Sequence, residues 1–135
     1  MKKFKSIVSL GIACLTILVS TVGISYGIGR VNGYCESGDW NPFTVDRVKT
    51  DTYGTVDQKL VATAKLQYYD ESTGSYKTLK TITATKDYGV SPNYVETVWV
   101  ESTLGDSYDI RNNYSGQIYN TGGSLDYSTS GYVSE

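Results

Sequence analysis

The side chains in this sequence that could do chemistry are carboxylates, two cysteines and an unusual number of aromatic rings, and there is no histidine among them. Without imidazole there is no Ser-His-Asp or Cys-His nucleophile system and no unperturbed general base near neutrality. An ordinary zinc site is excluded as well, because so few thiols cannot complete a ligand set alone. No phosphate-cradling glycine loop or dinucleotide fingerprint is present, since the glycines of 116–123 do not join a strand to a helix. No cofactor is expected. Carboxylates are therefore the remaining catalytic candidates. A glycosidase needs two of them across a cleft, one with a raised pKa. Glu96 and Glu101 have opposite parity in one predicted strand and would face opposite sides, so catalytic residues are assigned to none. Asp106, Asp109 and Asp126 could meet across loops, either as solvated turn residues or as oxygen ligands for calcium.

The rings carry more. Thirteen tyrosines stand against two phenylalanines and two tryptophans, too many for the core of one small domain. Neighbours such as Tyr68 and Tyr69 must point to opposite faces of a strand, so some rings lie outside. Exposed Tyr and Trp offer flat, stiff area with a polar tip, suited to sugars, peptides or partner proteins. Cross-strand tyrosine pairs also stabilise a sheet with no ligand at all. Trp40, Tyr69, Trp99 and Tyr119 are the candidate contact residues.

The element that must position such rings is clearest from Leu60 to Thr85. Leu60, Ala62, Ala64, Leu66 and Tyr68 alternate with polar residues, the period of a half-buried strand. Asp70 to Ser75 has the composition of a turn, and Tyr76 to Thr85 returns rich in Thr, Tyr and Ile, which predicts a β-hairpin. Leu79 and Ile82 have opposite parity, so the return arm needs a β-bulge or burial on both faces. Phe43 to Thr50 predicts another strand, followed by a turn over 51–54. Tyr94 to Ser102, apolar on both parities, predicts a central strand covered on both faces. Ser107 to Tyr114 reads as a strand, and Gly116 to Tyr119 as the start of a final hairpin into Ser124 to Tyr127. Helical spacing is not sustained anywhere after Tyr26. Short strands with turn signals about every ten residues predict an all-β fold, a single antiparallel β-sandwich of about 6–7 strands.

Lys2, Lys3 and Lys5 precede an apolar run from Ile7 to Val19 and then a stretch of small residues, the layout of a secretory signal peptide. Cleavage is placed after Ser25, with Gly23 and Ser25 at the recognition positions. The resulting division is a signal peptide over 1–25, an irregular leader over 26–42, and a sandwich domain over 43–135. The alternative is an uncleaved anchor through residues 7–28, since no charge falls between Lys5 and Arg30. That segment is the chain's only predicted route to a membrane. Cys14 belongs to the apolar run, so Cys35 alone survives cleavage and no internal disulfide can form in the mature chain.

Cleavage removes three lysines and no acid, so twelve basic and fourteen acidic side chains become nine and fourteen, a net charge near minus five. With no basic cluster, a nucleic-acid partner is excluded. Asn113-Tyr114-Ser115 matches a glycosylation acceptor, relevant only to a eukaryotic pathway that this Lys-led leader does not suggest. The chain has the general look of small exported proteins of Gram-positive bacteria. The expected function is non-enzymatic binding, at or outside the envelope, of a cell-wall glycan or a surface protein. Rival expectations are a secreted bacteriocin-like or toxin-like protein and a small carboxylate-dependent hydrolase.

Overall fold

The structure, a computed structural model, describes the backbone of residues 9–15, 29–40, 43–104 and 108–134, with side chains for 29–37, 46–104 and 108–134. Among these there is no helix. The strands are β1 (Ser9–Leu15), β2 (Gly29–Trp40), β3 (Phe43–Tyr53), β4 (Lys59–Asp70), β5 (Ser75–Lys86), β6 (Tyr94–Glu96), β7 (Val100–Glu101), β8 (Ile110–Tyr119) and β9 (Leu125–Ser134). They form two antiparallel sheets packed face to face, a small β-sandwich. One sheet has the order β1-β2-β3-β6, with β7 also on β3; the other has the order β5-β4-β8-β9. We call them the first and second sheets.

The β4–β5 hairpin follows the alternation that predicts it. Leu60, Ala62, Ala64 and Leu66 face inward and are fully buried. At the turn, the Asp70 carboxylate accepts from the Ser72 amide (3.0 Å) and hydroxyl (2.6 Å), while Gly74, at a φ of 65°, donates its N–H to the Asp70 carbonyl (2.8 Å). The bulge of the return arm lies at Leu79: Leu66 pairs Lys80 and Gln67 pairs Thr78, which leaves Leu79 over and partly exposed.

Four expectations need correction. Gly29–Trp40 is not an irregular leader but a twelve-residue strand, paired along its length with β3. Gly29 and Gly33 mark close sheet contact rather than turns: a Cβ on Gly33 would stand 2.1 Å from Tyr114 Cδ1, and one on Gly29 would stand 2.6 Å from Ile118 Cδ1. Likewise 51–53 continue β3 instead of turning, because Asp51 and Thr52 are buried and bonded there. Tyr94 to Ser102 is a divided edge, β6 and β7, rather than a central strand. The Thr97 amide donates to the Thr50 carbonyl (2.9 Å) and its hydroxyl accepts from the Thr50 amide (3.1 Å). Thr97 thereby turns inward and Val98 is pushed into solvent, 68% exposed. Finally, Gly116 lies within an unbroken β8, where a Cβ would meet Val31 Cγ2 at 2.4 Å.

Asn112 ties the sheets together at the centre of the sandwich. It is fully buried; its Nδ2 donates to the Lys49 carbonyl (2.8 Å), the Tyr34 carbonyl (3.2 Å) and the Thr50 hydroxyl (3.2 Å), and its Oδ1 accepts from the Lys65 amide (3.2 Å). Cys35 is fully buried too, its thiol donating to the Ile110 carbonyl at 3.8 Å.

Ser9–Leu15, inside the predicted leader, pairs antiparallel with 29–35 as β1. The rest of the leader, with the cleavage point after Ser25, lies outside the described residues. No helix of the described residues is long and apolar enough to cross a membrane.

Candidate binding surface

The outward positions of the first sheet pair by register as Arg30 with Tyr53, Asn32 with Asp51, Tyr34 with Lys49, and Glu36 with Arg47. Each pair is a bond. Arg30 lies 4.3 Å from the Tyr53 ring centroid, and Asp51 accepts from Asn32 Nδ2 (2.6 Å) and the Tyr34 hydroxyl (2.7 Å). Lys49 sits 5.2 Å from the Tyr34 ring and 5.1 Å from the Trp99 ring, and pairs with Glu96 at 3.0 Å. Arg47 lies 4.3 Å from the Trp99 ring and holds Glu36 through Nη2 (2.9 Å) and Nε (3.0 Å). Partial burial, the bond to Asp51 and that carboxylate's charge raise the Tyr34 pKa above the ordinary tyrosine value. Single exposed pairs of these kinds contribute about 0.5–1 kcal/mol each. Interlocked, they hold one another, and the cations of this face are matched by carboxylates or covered by rings.

The second sheet's outer face is different. Its outward positions are Lys59, Val61, Thr63, Lys65, Gln67 and Tyr69 on β4, facing Thr85, Thr83, Thr81, Thr78 and Tyr76 on β5. On β8 and β9 the outward series is Arg111, Asn113, Ser115, Gln117 and Tyr119 beside Ser134, Tyr132, Ser130 and Ser128. The burial alternation of β4 and β8 places all of these opposite the core. The face is hydroxyl- and amide-rich and carries rings at its ends.

Toward the end of the face that carries Tyr69, Arg111 lies between two rings, 3.7 Å from the Tyr76 centroid and 4.0 Å from the Tyr132 centroid. Its Nε donates to Gln67 Oε1 (2.8 Å), and Gln67 Nε2 donates to the Thr78 hydroxyl (3.0 Å). Both planes of the guanidinium are covered and its orientation is fixed, while its terminal nitrogens bond no described residue. Tyr132 is 62% exposed, and Tyr69 meets Tyr76 edge-on at 5.2 Å. Beyond Tyr69 a cleft of about 390 Å³ opens, lined by Tyr69, Asp70, Glu71, Ser72, Tyr108 and Asp109. There the Lys77 ammonium, with the Ser72 hydroxyl, holds the Asp70 carboxyl well below the usual carboxylate range.

The four predicted contact residues do not come together. Trp99 lies among the cation–ring contacts of the first sheet. Tyr69 borders the cleft at one end of the second sheet, and Tyr119 lies at its other end with its hydroxyl on Gln117 Oε1 (3.0 Å). Trp40 ends β2 opposite Phe43, and its side chain lies outside the described residues. The calcium trio is dispersed as far as it is described. Asp109 lines the cleft, while Asp126 accepts from Gln58 Nε2 and Asn120 Nδ2, each at 3.3 Å, at the opposite end; Asp106 lies outside the described residues. Among the described residues no group of acids, cysteines or histidines could hold a metal ion.

Sequence reasoning passed over Arg111, Tyr76 and Tyr132 as a unit. Their spacing along the chain gives no signal, because the clamp is assembled from β5, β8 and β9. No protein-family model matches the chain, and no curated protein matches it.

Proposed function

We propose that this is an exported, non-enzymatic glycan-binding β-sandwich, working at or outside a bacterial envelope through the outer face of the second sheet. The observation that carries the reading is the Tyr76–Arg111–Tyr132 clamp, with Tyr132 largely in solvent, on a face of hydroxyls and amides. Rings stack on the apolar faces of sugars, and fixed hydroxyls, amides and a guanidinium bond the hydroxyl rim. The first sheet's rings, Trp99 among them, are engaged with Arg47, Lys49 and Tyr34, which favours a stabilising role there. Export rests on the Lys-led leader of residues 1–25. The carboxylates support a non-catalytic reading: Glu96 is tied to Lys49 and Asp51 to Asn32 and Tyr34, while Asp70 is displaced opposite to a general acid.

The test is a glycan array and pull-down on envelope polysaccharide with the full chain, repeated with Tyr132→Ala. Tyr132 is mostly exposed, so the variant should melt like the parent and lose roughly tenfold in affinity, the scale of one stacked ring. Blank arrays, or full retention of binding by Tyr132→Ala, would refute the reading.

A further inference from the structure

The two outer faces differ in charge. On the first sheet Arg30, Arg47 and Lys49 stand among Glu36, Asp51 and Glu96. The outward positions of β4, β5 and β8 hold Lys59, Lys65 and Arg111 and no carboxylate, and β9 adds one, Asp126, at its start, although the protein as a whole carries more acidic than basic groups. Among the described residues the acids stand at the ends of this face: Asp70, engaged with Lys77, and the cleft-lining Glu71 and Asp109 at one end, and Asp126, engaged with Gln58 and Asn120, at the other. A cationic strip on an acidic protein focuses field along one surface and concentrates ligands of opposite sign there.

Deepening the glycan reading above, we infer that the second sheet's outer face selects an acidic polysaccharide, with repeating carboxylate or phosphodiester groups meeting Arg111, Lys65 and Lys59. Charge complementarity identifies the occupant. Arg111 presents a preoriented edge of N–H donors between two rings, the arrangement that takes a planar or tetrahedral anion while a sugar ring packs on Tyr132. Lys65 stands two residues along β4 from Gln67, the register partner of Arg111, a step of about 7 Å. Lys59 lies six residues beyond Lys65, about 20 Å along the same strand. An extended polymer lying along the strands can present several charges to these positions at once, and the intervening Thr and Ser hydroxyls receive its neutral segments.

The test measures the affinity of the full chain for polygalacturonate, for its fully methyl-esterified form, and for poly(glycerol phosphate), at low and high salt. Binding to either acidic polymer should exceed binding to the neutral ester roughly tenfold and weaken as salt rises. The two acidic polymers distinguish carboxylate from phosphate recognition. Lys65→Gln, which touches no ring contact, should lower acidic-polymer affinity about threefold, and Arg111→Gln about tenfold, with the methyl ester affected less. Thermal melts show whether Arg111→Gln keeps the fold; Lys65→Gln carries the test if it does not. Equal, salt-insensitive binding to the acidic and esterified polymers would overturn the charge selectivity and leave glycan binding intact. Binding to none of the polymers, with a blank array, would overturn both.

Discussion

Replacing Asn112 by leucine tests whether one buried amide holds the two sheets in register. The change keeps volume and removes four contacts: those to the Lys49 and Tyr34 carbonyls, the Thr50 hydroxyl and the Lys65 amide. Two N–H groups serve three acceptors, so about three full hydrogen bonds are lost, each with a net contribution of about 1 kcal/mol. The stranded partners are enclosed between the sheets, where water cannot replace the amide. The expected loss is about 3 kcal/mol, read as a fall in the urea midpoint with an unchanged slope, or a drop of roughly 12–15 °C in melting temperature. Asn112→Asp sharpens the test. It keeps an acceptor for the Lys65 amide but sets a second oxygen against two carbonyls in a fully buried site, so it should destabilise more than leucine at neutral pH. Burial raises the new carboxyl's folded pKa above its unfolded value, so the folded state binds the extra proton and stability recovers as pH falls. A leucine variant within about 1 kcal/mol of the parent, or an aspartate variant relatively more stable at neutral than at acid pH, would refute the reasoning.

Two further stability predictions follow from the packing and the titration of individual residues. Gly33→Ala should cost about 1–3 kcal/mol by overpacking, since its Cβ would overlap the Tyr114 ring, and pairing it with Tyr114→Leu in a double-mutant cycle should recover part of that loss; additive effects would sink the claim. Tyr34 has a folded pKa raised above the ordinary tyrosine value of 10.0, so its contribution is complete below pH 10 and is lost as pH climbs above it; Tyr34→Phe should flatten the alkaline decline seen in urea midpoints by up to about 1.4 kcal/mol per pH unit, and an unchanged decline would count against it.

The sequence by itself determined the fold class and its central hairpin. Alternation from Leu60 to Tyr68 is a local property, and any chain with that period buries one side of an extended strand, as Leu60, Ala62, Ala64 and Leu66 do here. The Asp70–Gly74 turn is equally local, since its donors and acceptors lie within five residues of one another. What only the tertiary structure decided is what each residue meets across the sandwich. Gly33 reads locally as a loop residue, yet it is glycine because the Tyr114 ring of the opposing sheet occupies the space of a side chain. The apolar run around Val98 reads as a buried strand, yet Thr97 bonds both backbone groups of Thr50 and turns Val98 outward. The Arg111 clamp draws on strands separated by long stretches of chain, and no spacing rule reaches across such distances. Alternation tells which residues share a face; only the pairing order of the strands, fixed by the packing of the whole core, tells which of them become neighbours.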